Sequence, residues 1–405
     1  MKRGGIYLFV AIVFGGSFSY SEGPESYIAP INPKASEEAI NLYRFIQDVQ
    51  GEYILSGQHN FVGKGSEYTE QLEALTGKSP VVWGADFSFT AKGDKAMEFQ
   101  HAGPANLPAI DVEGVREVVE KLEELGLEWP PPPEMFPELE FLDITIEDAR
   151  ESTIEEAKRR HAMGHIITLM WHGCYPTDAY PCDGLSVWAE GNLPSDEEWN
   201  ELVTDGTELN EAWKVGMDVI AVYLKELRDD NIPVLWRPYH EMNGEWFWWG
   251  HKKGEDGFKR LWLMTYDYLT NHHELNNLIW VWNANAPRGL PGERGIPYED
   301  YFPGAEYVDV LACDVYRNDY KQSHHDQLVA LAEGKPLALG EVGEMPSLEV
   351  LKEQPQWTWM MTWGWILFFS NEAEFIKELY DSEQVLTLDE ISAGEAGRYS
   401  VLGAK

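Results

Sequence analysis

Two glutamates carry the richest chemistry in this sequence. Glu241 lies in Trp236-Arg237-Pro238-Tyr239-His240-Glu241-Met242-Asn243-Gly244-Glu245-Trp246-Phe247-Trp248-Trp249-Gly250, and Glu341 in Pro336-Leu337-Ala338-Leu339-Gly340-Glu341-Val342-Gly343-Glu344. Each closes or follows a short apolar run of strand type. Two carboxyl groups brought face to face can divide the cutting of a glycosidic bond. One attacks the anomeric carbon and the other gives and then takes a proton, at a separation of about 5–5.5 Å when configuration is retained. Neighbouring residues assign the roles. An aromatic wall such as Trp246–Trp249 raises a carboxyl pKa, which suits Glu241 to proton donation. A carboxylate held by Arg237 or Tyr316 stays ionised, which suits Glu341 to nucleophilic attack. Glu245 and Glu344 read as solvated surface, with Glu344 the reserve nucleophile.

Other chemistries lack their residues. His240-Glu241 has Gly244 where a zinc protease needs its second histidine. The pairs His272-His273 and His324-His325 show no ligand spacing and read as surface. Neither a glycine-rich phosphate loop nor a Gly-x-Ser-x-Gly elbow is present. No metal and no organic cofactor is expected. With a formal net charge of −38, nucleic acid and anionic membranes are poor partners. A neutral glycan fits better, and 17 Trp and 19 Tyr supply flat rings suited to sugar C–H faces.

The elements that must position these groups follow a repeating order. Tyr53–Gln58, Pro80–Asp86, His165–Trp171, Ile232–Arg237, Leu278–Asn283, Val308–Cys313, Pro336–Glu341 and Trp359–Leu367 read as strands buried on both faces. Helical patterns cover Ser36–Val49, Ile146–Met163, Glu208–Arg228, Gly257–Asn271, Gln322–Glu333 and Asn371–Tyr380. The fifth helix, between Asn285 and Tyr307, is hard to find. Strand–helix alternation predicts parallel strands with right-handed crossovers, closing as a (β/α)8 TIM barrel. In that fold Glu241 and Glu341 sit at the tops of strands four and seven, facing each other across the mouth. Residues 89–143 form an insertion after strand two, on the active-site rim, with a helix-like piece at Val112–Leu125 and an extended Pro130–Pro133.

The N-terminus, Met1-Lys2-Arg3 followed by an apolar stretch and small residues, reads as a signal peptide over 1–21. Residues 22–405 are then one secreted or periplasmic catalytic domain, a monomer with no membrane segment in its mature form. Export favours a Cys174–Cys182 disulfide and leaves Cys313 as a buried free thiol.

The run Arg237–Gly250 resembles the acid/base signature of glycoside hydrolase family 26, and Ala338–Gly343 is similar to that family's nucleophile strand. The resemblance extends at lower fidelity from Ser36 to Tyr380. It implies a retaining β-glycanase, most often a β-1,4-mannanase, with Glu241 as acid/base and Glu341 as nucleophile. It further implies sugar contacts by His172, His240 and Trp246, a hold on the nucleophile by Tyr316, and a stacking floor at Trp363. Gly364 stands where family mannanases often have Arg. That departure, the cysteine loop and the insertion leave β-1,3-1,4-glucan and β-1,3-xylan as alternative substrates, and an inactive carbohydrate-binding barrel as a remoter one.

Overall fold

Eight parallel strands form the centre of the molecule: β1 Ile54–His59, β2 Val82–Asp86, β3 Ile166–Trp171, β4 Val234–Pro238, β5 Leu278–Asn285, β6 Val310–Val315, β7 Leu337–Val342 and β8 Trp357–Thr362. Each pairs with the next, and β8 pairs with β1 from Leu55↔Trp359 to Gln58↔Thr362, which closes the barrel. The computed structural model describes residues 27–60, 65–87, 90–92, 95–97, 141–142, 145–177, 186–187, 189, 193–287, 296–364 and 366–403. The expected signal peptide lies outside them, as do Val112–Leu125 and the proline run.

Every residue of the eight strands is buried, which is why their sequences are continuous apolar runs. The eighth strand is shorter than its apolar run. It stops at Thr362, Trp363 N–H turns to donate to Val342 O, and Gly364 takes a φ of 48° before a short helix at Ile366–Ser370.

Helices α1 Glu37–Val49, α2 Glu67–Thr76, α3 Ile146–Ala162, α4 Asp196–Leu202, α5 Glu208–Asp229 and α6 Phe258–Asp267 pack around the barrel, followed by α7 Gln322–Ala332 and α8 Leu348–Glu353. Serine or threonine side chains cap the starts of α1, α3, α4, α5 and α8. Ser36 Oγ accepts from Ala39 N–H, and Thr145 and Asp148 form a reciprocal box. Between β5 and β6 the described residues hold only 3-10 turns, Tyr298–Asp300 and Ala305–Tyr307. There aromatic packing covers the strand, with Trp282 against Phe302 at 5.4 Å.

Two apolar clusters divide the core. One lies between barrel and helices, and the other joins inward residues such as Leu55, Leu235, Ile279, Ala338 and Trp359 to Leu42 and Ile46 of α1. A C-terminal hairpin, Ile391–Ala393 with Tyr399–Val401, covers the same end, its Tyr399 ring 5.5 Å from Phe45. After β2 the chain enters a three-stranded antiparallel sheet of 90–92, 95–97 and 141–142, so both ends of the expected insertion are tied together.

Candidate active site

Strand alternation decides which side chains reach the barrel mouth. Leu55, Val82, Leu235, Val281, Ala312 and Met361 belong to the interior cluster. Residues of the same parity further up are His59, Asp86, Arg237, Asn283, Asp314 and Trp363, and all are buried.

Glu341 breaks this parity. Ala338 faces inward, so strict alternation would turn position 341 outward. The pairing register shifts between Leu339 and Glu341 on the β6 side, and such a bulge re-aims a side chain. Gly340 permits it, because a Cβ there would stand 1.9 Å from Asn283 Oδ1. The redirected carboxyl then accepts from Tyr316 Oη–H at 2.9 Å and from Arg237 Nη1 at 3.4 Å, with His240 Nε2 at 3.7 Å.

Glu241 is presented by a tight coil beyond β4. Tyr239 and Glu241 adopt left-handed φ values of 52° and 51°, a backbone conformation that ordinary residues keep only under constraint. The constraint is visible: Glu241 N–H donates to Asn283 O at 2.8 Å and Gly244 N–H to Glu241 O at 3.0 Å. Trp246 Nε1–H donates to Glu241 Oε2 at 2.9 Å. Gly244 leaves room for that indole, since a Cβ would lie 2.1 Å from it.

The apolar wall expected beside Glu241 is therefore differently built. Trp246 meets the carboxyl with its N–H. Phe247, Trp248 and Trp249 are buried beneath: Phe247 stacks on Trp249 at 4.4 Å, Trp248 meets Trp249 edge-on at 5.7 Å, and the two indoles donate to backbone carbonyls, Trp249 Nε1–H to His240 O at 2.8 Å and Trp248 Nε1–H to Gly173 O at 2.9 Å. Their role is to hold the turn.

One carboxylate oxygen each of Glu241, Asp314 and Glu341 lies within 4.8 Å of the other two. Burial raises the Glu341 pKa, against the pull of Arg237 and Tyr316. The expected partners are in place, but removal from water outweighs them. Asp314 is raised well above the ordinary carboxylate range, by burial and by the charges of Glu341 and Glu241. Arg237 is shared: its Nη1 also donates to Asn283 Oδ1 at 2.7 Å and Gly340 O at 3.2 Å. One guanidinium among three carboxyls favours a proton on Asp314 and negative charge on Glu341. The oxygens could chelate a cation, but Arg237 already stands against them, and the arrangement suits proton transfer and nucleophilic attack.

His172 and Trp363 complete the wall. His172 Nδ1 is 2.5 Å from Asp86 Oδ2, and its ring meets His240 edge-on at 4.4 Å and Trp363 at 6.5 Å. Thus Glu241, Glu341, Arg237, His172, His240, Trp246, Tyr316 and Trp363 share one site. Sequence reasoning missed Asp314, Asp86, Asn283 and His59, whose inward parity was the available signal.

Other readings change. Glu344 is half-buried; its Oε2 accepts from Asn318 N–H at 3.0 Å, bracing a loop instead of standing in solvent. His272 is exposed as expected, but His273 is buried between Lys225 Nζ and Asp218 Oδ1, each at 2.9 Å. His324 and His325 are likewise engaged, with Tyr298 Oη and Asp326 Oδ1. Cys174 is disulfide-bonded and Cys313 is buried and free; Cys182, the expected partner, lies outside the described residues. Among the described residues no helix is long and apolar enough to cross a membrane.

Comparison with known proteins agrees with this geometry. The sequence profile of glycosyl hydrolase family 26 matches residues 141–390, beginning at the last short strand of the rim sheet. The structure of GH26A from Muricauda sp. is 40% identical with a TM-score of 0.73, over 89% of this chain and 99% of that one. A β-mannanase from a symbiotic protist of the termite Reticulitermes speratus, solved with a gluco-manno-oligosaccharide, is 27% identical with a TM-score of 0.65, over 89% and 96%. A mannan endo-1,4-β-mannosidase of Thermothelomyces thermophilus is 30% identical over 386 residues. The chain is covered to 89% in that alignment but spans only 62% of the Thermothelomyces protein, and 50% of a Piromyces mannan endo-1,4-β-mannosidase A at 27% identity.

Proposed function

Because the chain belongs to glycosyl hydrolase family 26, we propose that it is a secreted, retaining β-mannanase that hydrolyses β-1,4-mannosidic bonds by double displacement. The observation that carries this reading is the approach of Glu241 and Glu341 oxygens to within 4.8 Å. Inverting enzymes keep their carboxyls about 6.5–9.5 Å apart to admit a water, whereas retaining ones bring them to about 5–5.5 Å.

Glu341 attacks the anomeric carbon while Glu241 protonates the departing oxygen. Tyr316 and Arg237 keep the attacking carboxylate aimed. Burial disfavours charge on Glu341, and the glycosyl ester formed by attack removes that charge. Glu241 then deprotonates a water that releases the sugar with its original configuration. His172, His240, Trp246 and Trp363 line the space beside the reacting carbon and serve as sugar contacts. Names of the similar proteins support mannan as the polymer.

Incubation with β-1,4-mannan, β-1,3-1,4-glucan and β-1,3-xylan tests the reading. The expected result is fastest release of short oligosaccharides from mannan, with the β-anomer first in the proton NMR spectrum. First appearance of the α-anomer sinks the retaining mechanism, and preference for another polymer sinks the mannan assignment. Secretion is read from the mass of the protein recovered outside the cell, which should lack residues 1–21.

A further inference from the structure

His59 ends β1 and Trp363 follows β8, so the two residues meet at the seam where the barrel closes. Gln58 pairs with Thr362 across that seam. One residue further up, the rings of His59 and Trp363 stack, with centroids 3.8 Å apart and planes 24° apart. On the other side the Trp363 N–H donates to Val342 O at 3.1 Å, directly after Glu341 in the chain. Gln58 ties the arrangement together, its Nε2 donating to His59 O at 2.7 Å and to Gly364 O at 3.1 Å.

His59 is 1% exposed, and among the described residues neither of its ring nitrogens has a hydrogen-bond partner. What the side chain offers its surroundings is therefore its face. Burial, with Arg237 and His172 nearby and only Asp86 opposing, pulls its pKa down to about 3. Near neutral pH the ring is uncharged. That matters beneath an indole whose electron-rich face suits the positive charge an oxocarbenium-like transition state develops. Trp363 is itself only 2% exposed, so its height and tilt follow from what packs against it, the His59 ring included.

We propose that His59 is a positioning residue of the active site, backing Trp363 so that the indole holds the sugar plane required for attack by Glu341. This role rests on the hydrolase reading above. Displacement of a reacting group by an ångström can cost about 100-fold in rate, and the loss falls on the chemical step.

The test is a set of variants assayed on mannan oligosaccharides: His59→Ala, His59→Phe, Trp363→Ala and the double variant with alanine at both positions. His59→Ala should lower kcat roughly 10- to 100-fold with KM changed less than about threefold. His59→Phe, which restores a ring under the indole, should recover most of that loss. The double variant should be no worse than Trp363→Ala alone. A folded His59→Ala with unchanged kcat, losses that multiply in the double variant, or a His59→Phe as impaired as His59→Ala would each overturn the role. Wild-type protein inactive on every polymer overturns the hydrolase reading and this role with it. An active wild type with an unaffected His59→Ala overturns the role alone.

Discussion

The indole N–H of Trp246 donates to Glu241 Oε2 over 2.9 Å, so the carboxyl proposed to move the proton is oriented by a side chain five residues along its own turn. Trp246→Phe keeps the ring and removes the donor. Hydrogen bonds to charged groups contribute about 1.5–3 kcal/mol, so kcat/KM on mannan should fall roughly 10- to 100-fold. Steady-state kinetics check this, and a variant with wild-type kcat/KM would show that Glu241 is oriented by other contacts.

Tyr316 Oη–H bonds Glu341 Oε2 at 2.9 Å and opposes the burial that raises the Glu341 pKa. Tyr316→Phe removes the opposing contact and leaves the burial. The Glu341 pKa then rises further, and because attack needs the ionised form, activity is lost at a higher pH as the solution is acidified. The acid limb of the kcat/KM profile should move up in pH. An acid limb that stays in place or moves down contradicts the assignment of Glu341 as the group titrating there.

Asp314 is wholly buried between two other carboxyls, and its pKa is raised well above the ordinary range by burial and by Glu341 and Glu241. Its surroundings therefore favour the protonated, neutral form. Asp314→Asn preserves shape and neutrality, so the variant should fold and keep kcat/KM within about tenfold of wild type. Asp314→Ala empties the space beside Asn283 and should be markedly worse. If the asparagine variant lost activity as completely as an alanine at Glu341, Asp314 would have to act as an ion.

The barrel was legible because strands covered on both faces leave unmistakable runs, such as Leu278–Asn283, and because helical patterns such as Ser36–Val49 and Ile146–Met163 alternate with them. The two glutamates were legible as ends of such runs. That Glu341 faces the mouth was expected, but the device that turns it there was not legible. It depends on a register shift against β6 that only Gly340 hints at, and strict alternation from Ala338 points the side chain the wrong way. Asp86, Asn283 and Asp314 lie inside apolar runs, where a polar residue gains meaning only from partners on other strands. The tryptophan cluster misled in the opposite direction: Trp248 and Trp249 read as part of an aromatic wall beside the Glu241 carboxyl but are buried supports of the turn.

Glu341→Ala should lower kcat by about 10⁴ or more while leaving the fold intact, since removal of a nucleophile disables the whole unit. The shortened side chain leaves room for azide, a small anion able to attack the anomeric carbon from the same face. Added azide should restore bond cleavage and yield an α-glycosyl azide. Glu241→Ala with an activated leaving group should instead yield the β-glycosyl azide, because Glu341 still forms the first intermediate. Mass spectrometry and proton NMR identify the products. The opposite pairing of variant and anomer would exchange the two roles.

Away from the site, Glu156 joins α3 to α2 through bonds from Arg159, Arg160 and Ser66, with Arg160 Nε–H donating at 2.9 Å. Burial works against its ionisation, but the bonds from Arg159, Ser66 and Arg160 prevail and bring its pKa down to about 2 from 4.5. A depressed carboxyl contributes stability that is fully present above its unfolded pKa and is lost as pH falls through the folded one. That window here runs from about pH 4.5 down to about 2. Glu156→Gln, which cannot ionise, should be less stable than wild type at pH 7, and the difference in Tm should shrink on acidification across the window. Thermal unfolding followed by circular dichroism at stepped pH decides it. A Tm difference that stays constant from pH 7 to pH 2 would mean that the α2–α3 junction draws nothing from the charge on Glu156.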